Sequence, residues 1–288
     1  MNTDSAYIIG TTHAVCQDYA VAGNSLQPQQ IGDANSPTAP YLILSDGCSS
    51  SADTDIGARL LAKAAEQILV GPLKPLAHEV AAMHRESARR ALIWAKLAGL
   101  QPQAVDATLL TAHLSEDALI LGCSGDGVIV LQSWAGAVDV YVMSYPSGYP
   151  VYPGYSHQPE RLLILKDDHR VSKDVRRFHS ASVAEPLQLE ETTSSVLLTE
   201  VFTVKASDYK YAVLLSDGIH SFFTTQQTET SKRVESIPME DILNDFISFK
   251  NMHGAFVGRR LKSFLKSCQA RGWQHRDDLA IGALHLGD

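Results

Sequence analysis

Apolar positions along the first third of the chain form two short strand-like runs and two helical stripes. The runs at 7–12 (YIIGTT) and 41–45 (YLILS) predict buried strands. The Gly-, Asn- and Pro-containing stretch at 23–40 between them predicts a loop. From Asp55 the apolar residues recur at helical spacing, and a second such stripe runs through about 76–98. Both stripes are typical of helices that pack one face on a core.

The rest of the chain groups strands together and helices together. Alternating apolar runs at 107–145 are separated by turn residues, which predicts an antiparallel meander. The stretch 144–159 holds four prolines and four tyrosines and predicts an ordered flap or loop. Further strands are predicted at RLLILK, SVLLTEVFTV, YAVLLS and the closing LAIGALHL, and helices at about 238–250 and 254–271. Because strands and helices cluster instead of alternating, we expect an α+β fold with antiparallel sheets covered by helices.

Composition and charge narrow the class of protein. The 288 residues carry 24 Lys and Arg against 32 Asp and Glu, a net charge of −8, with 45% hydrophobic residues. The acidic balance argues against nucleic-acid and membrane partners, and no apolar run approaches the ~20 residues that span a bilayer. Four scattered cysteines form no CxxC pair, so neither a disulfide framework nor zinc is expected. With no signal-peptide pattern at the start, we expect a cytoplasmic protein.

Carboxylates recur at the ends of apolar runs. YLILSDG ends at Asp46-Gly47, YAVLLSDG ends at Asp217-Gly218, and LILGCSGDG carries Asp126. Asp277-Asp278 precedes the closing strand, and Asp18 follows the first one. A buried strand fixes its last residue, so these side chains could converge on one site for Mg²⁺ or Mn²⁺, which prefer oxygen ligands.

Each of these carboxylates also has a simpler interpretation. Asp126-Gly127 lies between two strand patterns, as a hairpin turn does, and for Asp126 alone turn chemistry is favoured. Asp277 and Asp278 could form a solvated turn. Asp46 and Asp217 differ, because no return strand follows them directly. The order and number of the motifs therefore carry more weight than any one of them.

Taken in order, the motifs resemble those of the metal-dependent type 2C serine/threonine protein phosphatases. The motifs are Gln17-Asp18, Asp46-Gly47, Thr108 in ATLL, Asp126 in SGDG, Asp217 in LLSDG and Asp277-Asp278 in RDDLAI. The first motif, His-x-x-x-Gln-Asp beginning at His13, is similar to that of a bacterial branch. The resemblance spans about residues 7–286, and it implies a single domain over 1–288 with a Tyr/Pro-rich loop at about 144–160. The implied architecture is a four-layer αββα sandwich.

The resemblance also implies a site and a reaction. Asp46 would bridge two metals, Mn²⁺ or Mg²⁺, with the Gly47 carbonyl on one of them; Asp217 and Asp277 would bind the other. Asp18 would hold metal-bound waters, and Asp126 matches the ligand of a weak third metal. A metal-bridging water would then hydrolyse phosphoserine or phosphothreonine on a protein. The expected partner is a phosphoprotein, such as the target of a cognate Ser/Thr kinase, and the expected state is a monomer.

Two positions depart from the family pattern, and two other functions stay open. His13 stands where the family has a phosphate-binding arginine, so it is a candidate phosphate contact or an ordinary loop histidine. Cys48 stands where relatives often place His or Met. The alternatives are an inactive regulatory or binding module that keeps the phosphatase fold, and a phosphatase for small phosphoesters. The Tyr/Pro-rich loop is either a docking surface or a loop packed on the sheet edge.

Overall fold

A computed structural model describes residues 1–25, 39–71, 74–167, 171–182, 185–227 and 232–287. The strands are β1 (Asn2–Ile8), β2 (Tyr19–Ser25), β3 (Ala39–Ser45), β4 (Leu109–Ser115), β5 (Ala118–Ser124), β6 (Gly127–Ser133), β7 (Val138–Ser144), β8 (Lys173–Ser180), β9 (Gln188–Ser195), β10 (Thr199–Lys205), β11 (Tyr209–Leu215), β12 (Phe222–Gln227), β13 (Lys232–Ser236), β14 (Trp273–His275) and β15 (Leu279–His285). The helices are α1 (Thr54–Leu69), α2 (Val80–Leu97), α3 (Pro159–Asp167), α4 (Met239–Phe246) and α5 (Phe256–Arg271). None of the helices in these ranges is long and apolar enough to cross a bilayer.

The strands pair antiparallel in two large sheets and one small sheet. The seven-stranded sheet has the order β1-β15-β11-β6-β7-β8-β9, and the five-stranded sheet has the order β10-β5-β4-β3-β2. A three-stranded sheet, β13-β12-β14, lies beside them. Neighbouring strands come from distant parts of the chain, as where β1 pairs with β15, so the sheets bring the two ends of the sequence together.

Three apolar cores hold four layers together. Alternate residues of β3 point to opposite faces: Leu42 and Leu44 pack on the seven-stranded sheet, and Ile43 packs on α1 and α2. On the other side, α4 and α5 pack on the outer face of the seven-stranded sheet. The predicted α+β fold is therefore confirmed as two antiparallel sheets between two pairs of helices.

Several predicted elements differ in the structure. The first strand is Asn2–Ile8 and not 7–12, because the Gly10 amide turns away to the Asp278 carboxylate. Part of the predicted loop 23–40 is strand, since β2 pairs with β3; residues 26–38 lie outside the described ranges. RLLILK is helical in α3, because Pro159 and Glu160 begin a helix there.

The predicted meander at 107–145 is wrong at its centre. The pairs β4–β5 and β6–β7 are hairpins, but β5 lies in the five-stranded sheet and β6 in the seven-stranded sheet. Asp126 therefore does not occupy a hairpin turn. It lies in the short connection that crosses from one sheet to the other.

Candidate active site

Asp46 leaves the end of β3 in the five-stranded sheet. Its amide donates to Thr108 Oγ1 (3.0 Å), and the Thr108 amide donates back to the Asp46 carbonyl (2.8 Å). The next two residues pair with the same segment. Gly47 forms an antiparallel β-bridge with Ala107, and the Cys48 amide donates to the Asp106 carbonyl (2.8 Å). The backbone on both sides of the Asp46 side chain is therefore fixed.

Asp217 and Asp277 come from adjacent strands of the other sheet. Leu215 of β11 pairs with Ile281 of β15, and the Ser216 amide then donates to the Ala280 carbonyl (3.1 Å). This register places the residue after β11 beside the residues before β15. A side chain at Gly218 would collide with the Asp278 carbonyl, so glycine is required for this close approach.

Asp126 reaches the same place from the connection between the two sheets. Gly125 precedes it with φ of +90°, a conformation that other residues rarely adopt. This turn ends β5 and directs the chain into β6 within two residues. As a result, Asp126 lies where the ends of the two sheets meet.

The carboxylates of these segments line one cavity of about 420 Å³. Its wall also includes the turn after β3, the residue pair Asp106 and Thr108, and part of the Tyr/Pro-rich segment. The lining residues are Asp46, Gly47, Cys48, Ser49, Ser50, Ser51, Asp106, Thr108, Asp126, Gly148, Tyr149, Pro150, Tyr152, Tyr155, Arg161, Leu165, Asp217 and Asp277. All five residues that the resemblance implies as metal ligands are in this set.

Asp18 lies behind the cavity and is buried. Its Oδ2 accepts a hydrogen bond from Ser216 Oγ (2.6 Å), and Ser216 Oγ in turn accepts from the Ala280 amide (2.9 Å). Among the described residues, Oδ1 of Asp18 has no hydrogen-bond partner. A buried carboxylate oxygen without a partner is suited to a donor that is not a protein group, such as a cation or its bound water.

Burial and mutual repulsion raise the pKa values of these carboxylates. Burial raises the pKa of Asp18 to about 7, although the Ser216 hydroxyl and the adjacent Asp46 carboxyl favour its charged form. Burial and then the charge of Asp217 raise the pKa of Asp126 to about 8. The pKa of Asp46 is raised well above its ordinary value by burial and by the charges of Asp18 and Asp217. Protons therefore partly neutralise the cluster at neutral pH.

Within the described residues, no three His, Cys, Asp or Glu side chains already stand in the arrangement of a metal site. The donor set nevertheless fits a hard divalent cation. It consists of carboxylates and a glycine carbonyl, and sulfur and imidazole take no direct part in it. A cation here would replace the protons that the raised pKa values of Asp18 and Asp126 imply.

His13 is not part of the cavity wall. Its Nδ1 lies 3.1 Å from Asp278 Oδ2, and its Nε2 lies 3.6 Å from Asp277 Oδ1. Burial lowers the pKa of His13, but the contact with Asp278 and the charges of Asp277 and Asp18 outweigh it, so the pKa is raised. Both ring nitrogens lie near carboxylates, and neither contact has hydrogen-bond geometry among the described residues.

Asp278 holds the loop that carries His13 and Asp18. Its Oδ1 accepts from the Gly10 amide (2.7 Å), and its Oδ2 accepts from the Gln17 amide (2.5 Å). The residue is buried, and all of these partners lie on the chain between β1 and β2. The geometry gives Asp278 the role of an anchor for that loop.

Sequence reasoning missed the main cation of the cavity, Arg161. Its Nη1 and Nη2 donate to Oδ1 and Oδ2 of the buried Asp106 (2.7 and 2.8 Å). Nη2 also donates to Tyr155 Oη (2.9 Å), and the guanidinium carbon lies 4.2 Å from the centre of that ring. Ser51 Oγ completes the group by donating to Asp106 (2.9 Å). A helix-start signal at Pro159-Glu160 was available and would have placed Arg161 in a first helical turn.

The Tyr/Pro-rich segment covers one side of the cavity. Tyr145, Val151, Tyr152 and Tyr155 form a buried cluster with partly buried Cys48 and Leu165. Tyr149 alone of the four tyrosines is largely exposed. The segment is therefore a packed loop, as one of the two interpretations of its sequence expected.

Cys48 lies between this loop and the metal-ligand candidates. Burial raises the pKa of its thiol, but contacts with Ser50, Tyr152 and Ser51 outweigh it, so the pKa is lowered. The departure from the family pattern at this position therefore leaves a polar, hydrogen-bonding side chain on the cavity wall.

Comparison with known proteins agrees with this description. Residues 12–150 match the family model described as "Protein phosphatase 2C". No curated protein matches the sequence. Serine/threonine phosphatase Stp1 from Staphylococcus aureus has 10% sequence identity and a TM-score of 0.55, covering 100% of this chain and 96% of that one. The Mycobacterium tuberculosis serine/threonine phosphatase PstP/Ppp has 14% identity and a TM-score of 0.53, with 100% of both chains covered.

A further structure of that kind contains metal. The catalytic domain of serine threonine protein phosphatase PstP in complex with two manganese ions has 14% identity and a TM-score of 0.54, covering 99% of this chain and 98% of that one. At such identities the likeness concerns the fold. The chain therefore has the fold of the type 2C protein phosphatases, and its residues 12–150 match the sequence pattern of that family.

Proposed function

We propose that this protein is a metal-dependent type 2C phosphatase that hydrolyses phosphoserine and phosphothreonine on proteins. The observation that carries the proposal is the convergence of Asp46, Asp126, Asp217 and Asp277 on one cavity wall. These residues come from four separate parts of the chain and both sheets. Their repulsion has no structural benefit unless a cation is to be bound there.

The proposal assigns a role to each of the site residues. Asp46, the Gly47 carbonyl, Asp217 and Asp277 would hold two Mn²⁺ or Mg²⁺ ions, and Asp126 would hold a weaker third. Ions held by these residues would supply neutralisation of the phosphate charge and a water of lowered pKa as the nucleophile. Asp18 orients water at the back of the site through its free Oδ1, while Ser216 holds its other oxygen.

His13 acts in this proposal through the carboxylates it touches. Its contacts with Asp277 and Asp278 hold the segment before β15 against the loop before β2. A positive ring there also offsets part of the cluster's negative charge. This is a positioning role, in place of the phosphate contact that the sequence pattern first indicates for His13.

A phosphatase assay tests the proposal. We expect release of phosphate from a phosphothreonine peptide with Mn²⁺ and none in excess EDTA. Asp46→Asn, Asp217→Asn and Asp277→Asn should each lower kcat at least about a hundredfold, because each removes a ligand charge. Asp126→Asn should have a smaller effect on kcat, because its metal is the weakest. Full activity in EDTA, or an equal loss for Asp126→Asn, would overturn the assignment.

The same assay separates the alternatives. A protein with unaltered circular dichroism but no turnover of any phosphoester would be a binding module. Turnover of p-nitrophenyl phosphate without turnover of phosphopeptides would indicate a small-molecule phosphatase.

A further inference from the structure

A second cavity, of about 620 Å³, lies outside the catalytic site. Its walls are the C-terminal half of α2, the turn at 99–102 that follows it, and the start of the segment that leads into α3. The two sides are joined by a hydrogen bond in which His157 Nε2 donates to the Arg85 carbonyl (2.9 Å). We call this cavity the α2 groove.

The floor of the α2 groove is apolar. Ile93 lines it and is 43% exposed, and Leu92, Leu100 and Pro102 lie around it. Leu92 and Leu100 pack their inner sides on the core beneath α1 and α2. An exposed isoleucine in a concave, partly buried setting offers a place for an apolar side chain of another molecule.

The rim of the α2 groove is positively charged. Lys96 and Arg89 line it, and none of the Asp and Glu residues that the structure describes does so. Arg89 is paired with Glu86 (2.7 Å), but Lys96 makes no ion pair with any residue in the described parts of the chain. In a protein of net charge −8, an apolar groove with a free cation is complementary to an acidic and apolar segment.

The α2 groove is connected to the catalytic cavity through one helical turn. Gln158 lines the groove, and its Oε1 accepts a hydrogen bond from Arg161 Nη1 (3.2 Å). Arg161 lines the catalytic cavity. The two cavities are therefore neighbours that share the segment from Gln158 to Arg161 as a wall.

We propose that the α2 groove is a docking site for an acidic, apolar segment of the phosphoprotein substrate. The proposal rests on the proposed phosphatase function. The groove binds an apolar side chain over Ile93 and a neighbouring carboxylate at Lys96. It thereby raises the local concentration of a phosphorylated residue a short distance along the same chain.

Two measurements test the docking site. In the first, fluorescence anisotropy follows binding of an unphosphorylated peptide of alternating Glu and Leu, with a Lys-and-Leu peptide and a Glu-and-Ala peptide as controls. In the second, the Glu-and-Leu sequence is joined to a phosphothreonine peptide by a flexible linker of about six residues, which spans ~13 Å on average. KM for this substrate is compared with KM for the phosphothreonine peptide alone.

We expect the joined substrate to have a KM about five- to tenfold lower than the phosphothreonine peptide alone, the gain of one half-buried apolar contact and one ion pair. Lys96→Glu and Ile93→Asp should each remove that advantage and weaken anisotropy binding. Lys266 is an exposed lysine on α5, and Lys266→Glu makes the same charge change as Lys96→Glu. This control should leave the KM advantage and the anisotropy binding unaltered. Turnover of p-nitrophenyl phosphate should be equal in all of them.

Three results would overturn the docking site. The first is equal KM for both substrates, and the second is an equal effect of Lys266→Glu, which would mean general charge attraction. The third is a concentration-dependent dimer in sedimentation that Lys96→Glu abolishes, since the groove would then bind a second copy. Anisotropy needs no catalysis, so peptide binding without turnover would reject the proposed function and keep the groove.

Discussion

At the scale of single residues, the position of His13 bears on two hypotheses for its role. In one the ring contacts the substrate phosphate, and in the other it positions the Asp277 carboxylate. The ring lies 3.1 Å from Asp278 and 3.6 Å from Asp277, and its side chain is 18% exposed. Both nitrogens therefore face carboxylates on the protein. At this position the His13 side chain affects the placement of the Asp277 carboxylate more directly than it affects a bound substrate.

We expect His13→Ala to raise the Mn²⁺ concentration for half-maximal activity about tenfold, because partners of metal-ligating carboxylates typically contribute that much to affinity. KM for a phosphopeptide at saturating Mn²⁺ should change less than about twofold. The measurement is steady-state kinetics over a Mn²⁺ series, with His78→Ala at an exposed position as control. A KM raised about tenfold with the Mn²⁺ dependence unaltered would show that His13 binds the phosphate instead.

The sequence indicated the carboxylates better than the residues around them. Asp46 and Asp217 were identifiable because each ends an apolar run without a return strand. The local pattern around Asp126 favours a hairpin turn, and only the resemblance makes Asp126 a candidate metal ligand, because the crossing between sheets is a property of the tertiary fold. Asp106 and Arg161 pair across more than fifty positions, and no local pattern contains such a pair.

At the scale of elements, α3 is attached beside the catalytic cavity mainly through Arg161. Its Leu162 and Leu165 pack partly on the tyrosine cluster, while Leu163 and Ile164 are largely exposed. The fork from Arg161 to the buried Asp106 therefore supplies the specific contact between α3 and the turn before β4.

Arg161→Met should destabilise the fold by about 1–3 kcal/mol, because it leaves the Asp106 carboxylate buried without its cation. The double variant Arg161→Met with Asp106→Asn should recover part of this loss, since no buried charge remains unpaired. Urea unfolding followed by circular dichroism measures both. Equal stability of the single variant and the wild type would show that α3 is held by its apolar contacts alone.

Helix α2 is fixed to the five-stranded sheet by a buried histidine. His84 Nδ1 lies 2.8 Å from Ser124 Oγ of β5, and its Nε2 lies 2.8 Å from Thr111 Oγ1 of β4. Burial lowers the pKa of His84 to about 3, so the ring is neutral in the folded protein. The unfolded chain, with an ordinary pKa of about 6.5, takes up a proton that the folded chain does not.

This difference predicts a loss of stability in acid. The contribution of His84 is complete above about pH 6.5 and falls as the pH decreases toward about 3. The total is on the order of 3–5 kcal/mol. Urea unfolding at pH 7.5, 6 and 5 should show this decline in wild type and a shallower one in His84→Gln, with His78→Gln as control. The same slope in both variants would assign the acid sensitivity to other groups.

Elements with a clear local sequence pattern were predicted correctly, and elements without one were missed or assigned to the wrong type. The start of α1 and both bounds of α2 and α5 were predicted nearly as observed, because amphipathic stripes are local patterns. RLLILK was interpreted as a strand because its apolar residues were weighed above the Pro and Glu that begin a helix. The hairpin of β8 and β9 escaped prediction, since β9 is polar and mostly exposed.

At the scale of the whole molecule, the two sheets bring their acidic strand ends to one place. Antiparallel sheets covered by helices were predictable from the clustering of strands and helices, and the resemblance to the type 2C phosphatases implied that there are two such sheets. The pairing of β1 with β15 and of β10 with β5 was not, because those partners are separated by most or a large part of the chain. Burial at this meeting place, and then the charges of the neighbouring carboxylates, raise the pKa values of Asp18, Asp46 and Asp126.

Binding of Mn²⁺ across pH tests most directly whether this cavity is a metal site. Protons on Asp18 (pKa about 7) and Asp126 (pKa about 8) compete with the cation. Calorimetric titration with Mn²⁺ should therefore show affinity rising at least about tenfold from pH 6 to pH 8, with protons released on binding. Asp46→Asn should abolish the tight binding at both pH values. Binding that is equal at pH 6 and pH 8, or that survives in Asp46→Asn, would contradict the assignment of this cavity as the metal centre.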